Sequence, residues 1–351
     1  MRIKAEGPTG ARECRHDPHP HPPDFPRLEP AAGLTMTRLA VLCALLLTIC
    51  ITGSSAFIRH SQTGLGCPTG AACRPLAGGA SGQGIDPPAE VRTARLMHRV
   101  SAMAVGLLAG VIALVGWSSL RGSERTAAVI ALLVTGALAW LGRYTPHDLP
   151  LVTLGNVLGG FTLAAAFAWI AAPAAHERDA LAALRRFGPL AMALLLAFLQ
   201  AGLGVMISVR HALDACAAIV CLPDGIIDWR IFDALVARSP ESPAGARALH
   251  LVHRAVALAL LAVCAVVAAQ ARGTALRGAR LALVALPLTQ VVLGLAVAQG
   301  LWPLFAATAH NMIAASLIAL LAAMAAGAVK QVRPPARQPL AHQPPASHPP
   351  A

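Results

Sequence analysis

The chain has few charged side chains for its length and very few aromatic ones. Only 13% of its 351 residues are charged and 4% are aromatic, with a single tyrosine, whereas 56% are hydrophobic. The hydrophobic residues form long uninterrupted blocks instead of following the spacing of a helix with one polar face, which is typical of membrane proteins. The net charge of +12 comes without a basic stripe or an aromatic platform, and this excludes a nucleic-acid-binding surface.

Eight apolar blocks have the length of a membrane crossing. A helix needs about 20 residues to cross about 30 Å of hydrocarbon. The long uncharged stretch near the end exceeds one crossing, and a Gly-Leu-Trp-Pro turn at 300–303 divides it. We therefore predict an all-α membrane protein with eight transmembrane helices. The predicted spans are 39–58, 96–120, 126–142, 149–172, 187–209, 248–271, 281–299 and 304–329.

The basic residues of the short connecting loops all fall on one side of this arrangement. Short basic loops stay in the cytoplasm. We therefore place both termini in the cytoplasm and the loops 59–95 and 210–247 outside; in a bacterium the spans would lie in the inner membrane. The positive charge then reflects this orientation and contact with anionic lipid. The residues that set it are Arg121, Arg125, Arg178, Arg185, Arg186, Arg272, Arg277, Arg280, Lys330, Arg333 and Arg337.

Both ends of the chain lack the composition of a folded core. Residues 1–35 are rich in His, Pro and Arg, and we predict that they are disordered or are an extension upstream of a true start at Met36. A signal peptide is the competing interpretation, but the block that follows is long enough for a full span and no small-residue cleavage site is obvious. Residues 330–351 are Pro-rich and predict a disordered cytoplasmic tail.

Four of the eight cysteines lie in the two long outer loops. Cys67 and Cys73 are in the first loop, and Cys216 and Cys221 are in the second. Paired thiols in an oxidising compartment favour disulfides, which would hold loops that have little core beneath them. Zinc binding is the weaker alternative, because the gaps of five and four residues differ from the two-residue spacing of most zinc sites.

A repeat with an offset of 155 residues relates the two halves of the chain. Leu-Met-His-Arg at 96–99 matches Leu-Val-His-Arg at 251–254. The same offset relates Thr-Ala-His-Asn at 308–311 to Thr-Leu-Gly-Asn at 153–156. His98, His253 and His310 therefore share one register, each in the first turns of a span that enters from the outer side. Gly155 occupies the position of the fourth.

Histidines in this register favour a haem centre. A lone histidine in an apolar helix is most often a hydrogen-bonded core residue, but three at the same depth favour a metal site. Imidazole is a common axial ligand of haem iron, so we predict a six-coordinate haem between His253 and His310. In the first half His98 faces Gly155, with Asn156 as a weak contact, which predicts an exchangeable site or one that has lost its haem.

Two arginines follow the repeated histidines and have two interpretations of equal weight. Arg99 and Arg254 would be costly beside lipid, so each is expected to face the bundle interior or the outer interface. In the interior a guanidinium can pair with haem propionates. At the interface it would hold the end of its helix.

The sequence resembles the haem A synthase family. The resemblance rests on the stretch 59–68, Arg-His-Ser-Gln-Thr-Gly-Leu-Gly-Cys-Pro, on the two His-Arg helix starts, and on Ala-Thr-Ala-His-Asn at 307–311, and it covers 39–329. It implies two pseudosymmetric four-helix bundles, a substrate half at 36–175 and a cofactor half at 176–329. It further implies an oxidoreductase that uses haem b to oxidise the C8 methyl group of haem O to the formyl group of haem A, for cytochrome oxidase.

The resemblance also implies roles for single residues. It assigns His253 and His310 to the cofactor haem iron, His98 to the catalytic site for the substrate, and the four loop cysteines to disulfides. Two positions depart from the family: Gly155 replaces its fourth histidine, and Arg95 stands where many members carry an acid, with Glu90 the nearest acidic residue. The implied partners are a haem O synthase, the assembly of cytochrome oxidase and an electron donor, and a homo-oligomer is an open alternative.

Two other functions would also use paired histidines in a four-helix bundle. One is an electron-transfer haem b membrane protein, which does not require a degenerate first half. The other is a haem-delivery factor that passes haem to an oxidase unchanged. The three functions differ in the product that they form.

Overall fold

The regular structure of the chain is helical throughout the part described. The computed structural model describes residues 30–62, 88–144, 149–173, 180–237, 242–271 and 276–332. These contain eight α-helices, all long and apolar enough to cross a membrane, which confirms the predicted fold class. The helices are α1 (Pro30–Gln62), α2 (Ala89–Leu114), α3 (Gly122–Tyr144), α4 (Pro150–Ala171), α5 (Ala180–Val209), α6 (Pro243–Gln270), α7 (Arg277–Ala298) and α8 (Pro303–Val332).

Most helices run past the apolar spans that the sequence predicts. α1 begins at Pro30, inside the segment 1–35 that we predict to be disordered, and residues 1–29 lie outside the described part. α2 begins seven residues before the predicted span 96–120 and ends six residues before the end of that span, at Leu114, ahead of a 3-10 turn at Gly116–Ser118. Long charged side chains allow such extensions, because their apolar stems lie along the helix while the charge reaches water.

The helices contact one another in the same order in both halves. In the first half α1 packs on α2, α2 on α3, α3 on α4 and α4 on α1, and α5 to α8 follow the same cycle. The halves meet where α8 packs on α1 and α4 and where α4 packs on α5. α8 therefore contacts both halves. Symmetry between the halves stays a prediction.

Small side chains allow α8 to approach the first half closely. Ala168 of α4 packs with Ala319 and Ala322 of α8. On α1, a Cβ atom at Gly53 would lie 2.7 Å from the sulfur of Met312, so a larger residue here would force the methionine side chain to move. Such contacts are typical of membrane helices, which associate through packing instead of the hydrophobic effect.

A buried ion pair joins three helices at the end assigned to the cytoplasm. Lys330 of α8 lies 2.7 Å from Glu124 of α3, and the two side chains are 10% and 15% exposed. The same ammonium group donates to the carbonyl oxygens of Trp169 and Ala172 at the end of α4. These carbonyls have no partner within the helix and carry its negative dipole, so a cation there is stabilising.

We expect Lys330→Met to lower the free energy of unfolding on the order of 2–3 kcal/mol, because it leaves a shielded carboxylate and two carbonyls without their cation. Thermal unfolding of the purified protein in detergent measures this. The double variant Lys330→Met with Glu124→Gln is the control, and it should lose less than the sum of the two single losses. Strict additivity would contradict direct coupling of the pair.

Candidate functional site

Two of the three repeated histidines lie inside the second half. His253 is on α6 and His310 is on α8, helices that lie diagonally across the α5–α8 cycle. The two imidazoles are close enough to interact electrostatically. In each ring Nδ1 is fully buried, and neither Nδ1 has a hydrogen-bond partner among the described residues. A buried polar atom without a partner is rare in proteins and marks a place where a further group belongs.

His253 faces a glutamine and a glycine on α5. The Nε2 amide of Gln200 lies 3.0 Å from Nε2 of His253. The Gln200 side chain therefore contacts the His253 ring at Nε2. A Cβ atom at Gly204 would lie 3.3 Å from Cε1 of the same ring. The imidazole ring of His253 therefore fits against α5 because residue 204 has no side chain.

His310 faces a second glutamine and glycine with the same spacing on α7. Gln290 donates from its Nε2 to the carbonyl oxygen of His310 at 2.7 Å. A Cβ atom at Gly294 would lie 3.6 Å from Cε1 of His310. The sequence analysis missed both pairs, although the shared spacing of Gln200 to Gly204 and Gln290 to Gly294 was a visible signal.

This donor set fits a haem better than a bare metal ion. Among the described residues, no group of three or more His, Cys, Asp or Glu side chains is placed to hold a metal ion. A haem iron needs only axial ligands from the protein, and neutral imidazole nitrogens commonly serve. His253 and His310 come from diagonal helices of a bundle, where ligand sites in such bundles lie. Each ring packs against a glycine of the neighbouring helix, Gly204 for His253 and Gly294 for His310.

The third repeated histidine lies in the first half against α1. Nδ1 of His98 on α2 is 3.4 Å from Oγ of Ser54, a long contact. The hydroxyl of Ser54 donates its hydrogen to the carbonyl of Ile51, so its oxygen accepts from the ring. With Ser54 as the acceptor, the proton of this imidazole lies on Nδ1 and the lone pair on Nε2.

A leucine fills the space beside Gly155, the position of the missing histidine. A Cβ atom at Gly155 on α4 would lie 3.1 Å from Cδ2 of Leu141 on α3. One turn later, a Cβ atom at Gly159 would lie 2.7 Å from Leu138. The α3–α4 contact is therefore built on glycines that leucines cover, and a larger side chain at position 155 would displace Leu141. The two halves differ in their packing as well as in their histidines.

The second outer loop contains the predicted disulfide and is held by an arginine of the repeat. Cys216 and Cys221 form a disulfide bond. Arg254 donates to the carbonyl oxygens of Ala218 and Ile219 at 2.6 Å and of Cys216 at 3.0 Å. These contacts agree with the interpretation that Arg254 lies at the interface and holds the end of its helix. The side chain of Arg99, its counterpart in the repeat, is exposed. Cys67 and Cys73 lie outside the described residues.

Two further residues that the sequence analysis left without a role hold the same loop. Arg210 donates to the carbonyl oxygens of Arg230, Ile231, Asp233 and Val236. Burial lowers the pKa of the Arg210 guanidinium, and the negative charge of the nearby Asp233 partly opposes this shift. His250, one turn before His253, donates from Nε2 to the carbonyl oxygen of Ala212 at 2.6 Å. His250 is thus a hydrogen-bonded core histidine and not a further ligand.

The acid that the resemblance places near the first histidine has no counterpart in the first turns of α2. Arg95 is half-buried, and Glu90 is exposed in the first turn of the helix. Two helical turns separate Glu90 from His98, so the two side chains start about 12 Å apart along the axis. Neither position supplies a carboxylate beside the imidazole.

Gly204→Val should weaken haem binding about tenfold or more, because the new side chain meets the His253 ring and overpacking costs about 1–3 kcal/mol. The measurement is haem titration of the purified, haem-stripped protein in detergent. Gly202→Val is the matched control: it lies on the same helix, and a Cβ atom there meets nothing within 4 Å. Equal losses in the two variants would mean that the effect comes from α5 and not from contact with His253.

A comparison with models of protein families identifies the family of this chain. No curated protein matches the chain in a direct sequence search. A family model described as "COX15-CtaA: Cytochrome oxidase assembly protein" matches residues 93–322, more than half of the chain. The match includes all three repeated histidines and the second outer loop. The chain therefore belongs to the COX15-CtaA family of cytochrome oxidase assembly proteins.

Proposed function

We propose that this protein is a haem A synthase, an oxidoreductase that converts the C8 methyl group of haem O to a formyl group for cytochrome oxidase. The observation that carries the proposal is the pair of imidazoles of His253 and His310, which interact inside the second half and each face a glycine. Membership of a cytochrome oxidase assembly family supports it. An oxidase that uses haem A needs this conversion before it can be assembled.

The second half, 176–329, holds a haem b cofactor in this proposal. When bound, the haem supplies one-electron redox chemistry. His253 and His310 would hold its iron, and their rings pack against Gly204 and Gly294. Gln200 helps to orient the His253 ring through its contact at Nε2.

The first half, 36–175, binds the substrate haem O. His98 presents Nε2 to the substrate, because Ser54 accepts the proton on Nδ1. Gly155 offers no second imidazole, and Leu141 occupies the space next to it. Because the protein supplies at most one ligand here, the substrate iron keeps an exchangeable position. A catalytic site needs such a position. The apolar side chains around it exclude water.

The proposed setting follows from the same function. The protein lies in the inner membrane of a bacterium with both termini in the cytoplasm. It receives haem O from a haem O synthase and electrons from a separate donor. The halves act as two pseudosymmetric bundles, and the disulfide of Cys216 and Cys221 holds the outer loop over the cofactor half.

One observation favours a second candidate function. Leu141 packs against Gly155, so a larger side chain at this position of the repeat would have to shift the leucine. A first half that has lost its haem would leave an electron-transfer haem b protein, or a factor that delivers haem without changing it. These candidates share the cofactor half and differ from the synthase in forming no haem A.

Mass spectrometry of extracted haems tests the proposed function. Cells that make this protein together with a haem O synthase should contain haem A or its hydroxylated precursor. Cells that carry His253→Ala in the same background should contain haem O alone. Unchanged haem O beside a wild-type protein that still holds haem b would exclude the synthase and favour electron transfer or delivery.

The three histidines should also differ in their effect on the absorption spectrum. We expect His253→Ala or His310→Ala to abolish the low-spin spectrum of a haem with two imidazole ligands, because each removes one ligand. His98→Ala should leave this spectrum largely intact. Visible absorption and electron paramagnetic resonance of the purified variants measure this. Loss of the spectrum in His98→Ala alone would reverse the assignment of the two halves.

A further inference from the structure

Arg59 places a cation at the outer end of α1, where this helix packs against α8. Its Nη2 atom donates to Oδ1 of Asn311 at 3.3 Å and lies 3.5 Å from Nε2 of His60. Its Nε atom is fully buried and has no hydrogen-bond partner among the described residues. Within the same residues no carboxylate lies within ion-pair distance of Arg59. The guanidinium thus has two long contacts to neutral groups and one donor without an acceptor.

Other arginines at this end of the molecule have a carboxylate or at least three backbone carbonyls as partners, although Nε of Arg247, like that of Arg59, has no hydrogen-bond partner among the described residues. Arg210 donates to four backbone carbonyls and Arg254 to three. Arg247 forms an ion pair with Asp224. A charge inside an apolar bundle is expensive unless it is paired and hydrogen-bonded. Arg59 therefore requires an anion that the described residues do not supply.

The surroundings of Arg59 belong to the proposed cofactor site. Asn311, which accepts from the guanidinium, directly follows His310 on α8, and its own amide is held by the carbonyl of Ala307. His60, buried next to Arg59, interacts electrostatically with His310. The contact between Gly53 and Met312 keeps α1 close to α8 on this side. A cation of the first half is thereby placed beside a histidine of the second.

We propose that Arg59 binds a carboxylate of the ligand held by His310, which in the proposed function is one propionate of the haem b cofactor. The inference rests on that function. The Nε and Nη2 atoms lie on the same edge of the guanidinium, and this edge matches the two oxygens of a carboxylate. Asn311 holds the edge in place through Nη2, while Nε has its hydrogen available. The first half then contributes directly to retention of the cofactor by the second.

The test uses the full-length protein, purified in detergent and stripped of haem. It is titrated with two probes: iron protoporphyrin IX, which has free propionates, and its dimethyl ester, whose propionates are blocked. The wild-type protein should bind the free acid about tenfold or more tightly than the ester, the effect of about one charge-assisted hydrogen bond. Arg59→Gln should lose this preference by weakening the free acid alone.

Two further variants separate binding from folding. Arg59→Lys keeps the charge but lacks the planar edge, so it should restore part of the preference. Arg210→Gln is the matched control. Like Arg59, Arg210 lies at the end of its helix, six residues after a glycine, but its guanidinium binds carbonyl oxygens of the loop. Its preference for the free acid should equal that of the wild type. If Arg59→Gln does not fold, the wild type and Arg59→Lys still give the comparison.

The outcomes distinguish this inference from the proposed function. A wild type that binds neither probe contradicts the cofactor site itself. Equal binding of both probes by the wild type, or equal weakening of both by Arg59→Gln, leaves the cofactor site intact and overturns the role of Arg59. An anionic lipid at Arg59 would appear as stabilisation by phosphatidylglycerol of the wild type but not of Arg59→Gln, with no preference between the probes, and this also overturns it.

Discussion

Every polar group inside an apolar helix bundle needs a partner, and this constraint separates the scaffold of this protein from its site. The side chains of three basic residues donate hydrogen bonds to backbone carbonyls or pair with a carboxylate, and so hold loops and helix ends together: Arg210, Arg254 and Lys330. Nδ1 of His253 and His310 finds no acceptor among the described residues. These two nitrogens lie on α6 and α8 of the second half, the helices to which the repeat assigns its histidines.

The packing of the two halves differs at the positions that the repeat relates. In the second half, glycines face the histidine rings. In the first half, the glycines at 155 and 159 face leucines of α3, so the same residue type serves close helix packing. α8 contacts both halves, since it carries His310 and also packs against α1 and α4.

Much of the fold could be predicted because hydrocarbon solvent simplifies the pattern. Apolar runs of the right length identified all eight helices, and the repeat found His98, His253 and His310. The helix ends were less accurate, because charged residues continue a helix into the interface and length alone does not locate that boundary. The pairs Gln200 with Gly204 and Gln290 with Gly294 were overlooked, since an uncharged amide or a glycine in an apolar run has no function until its neighbour is known.

The sequence by itself determined the eight helices, the histidines and the thiols of the outer loop, because hydropathy, spacing and residue chemistry are local properties. Only the tertiary structure decided what each polar group touches. It placed Arg254 on the carbonyls of the disulfide loop and Arg59 beside the helix of His310. It also placed the side chain of Leu141 against Gly155. The reason is physical: hydrogen bonds and close contacts join residues distant in the chain, and helix packing alone sets their distances.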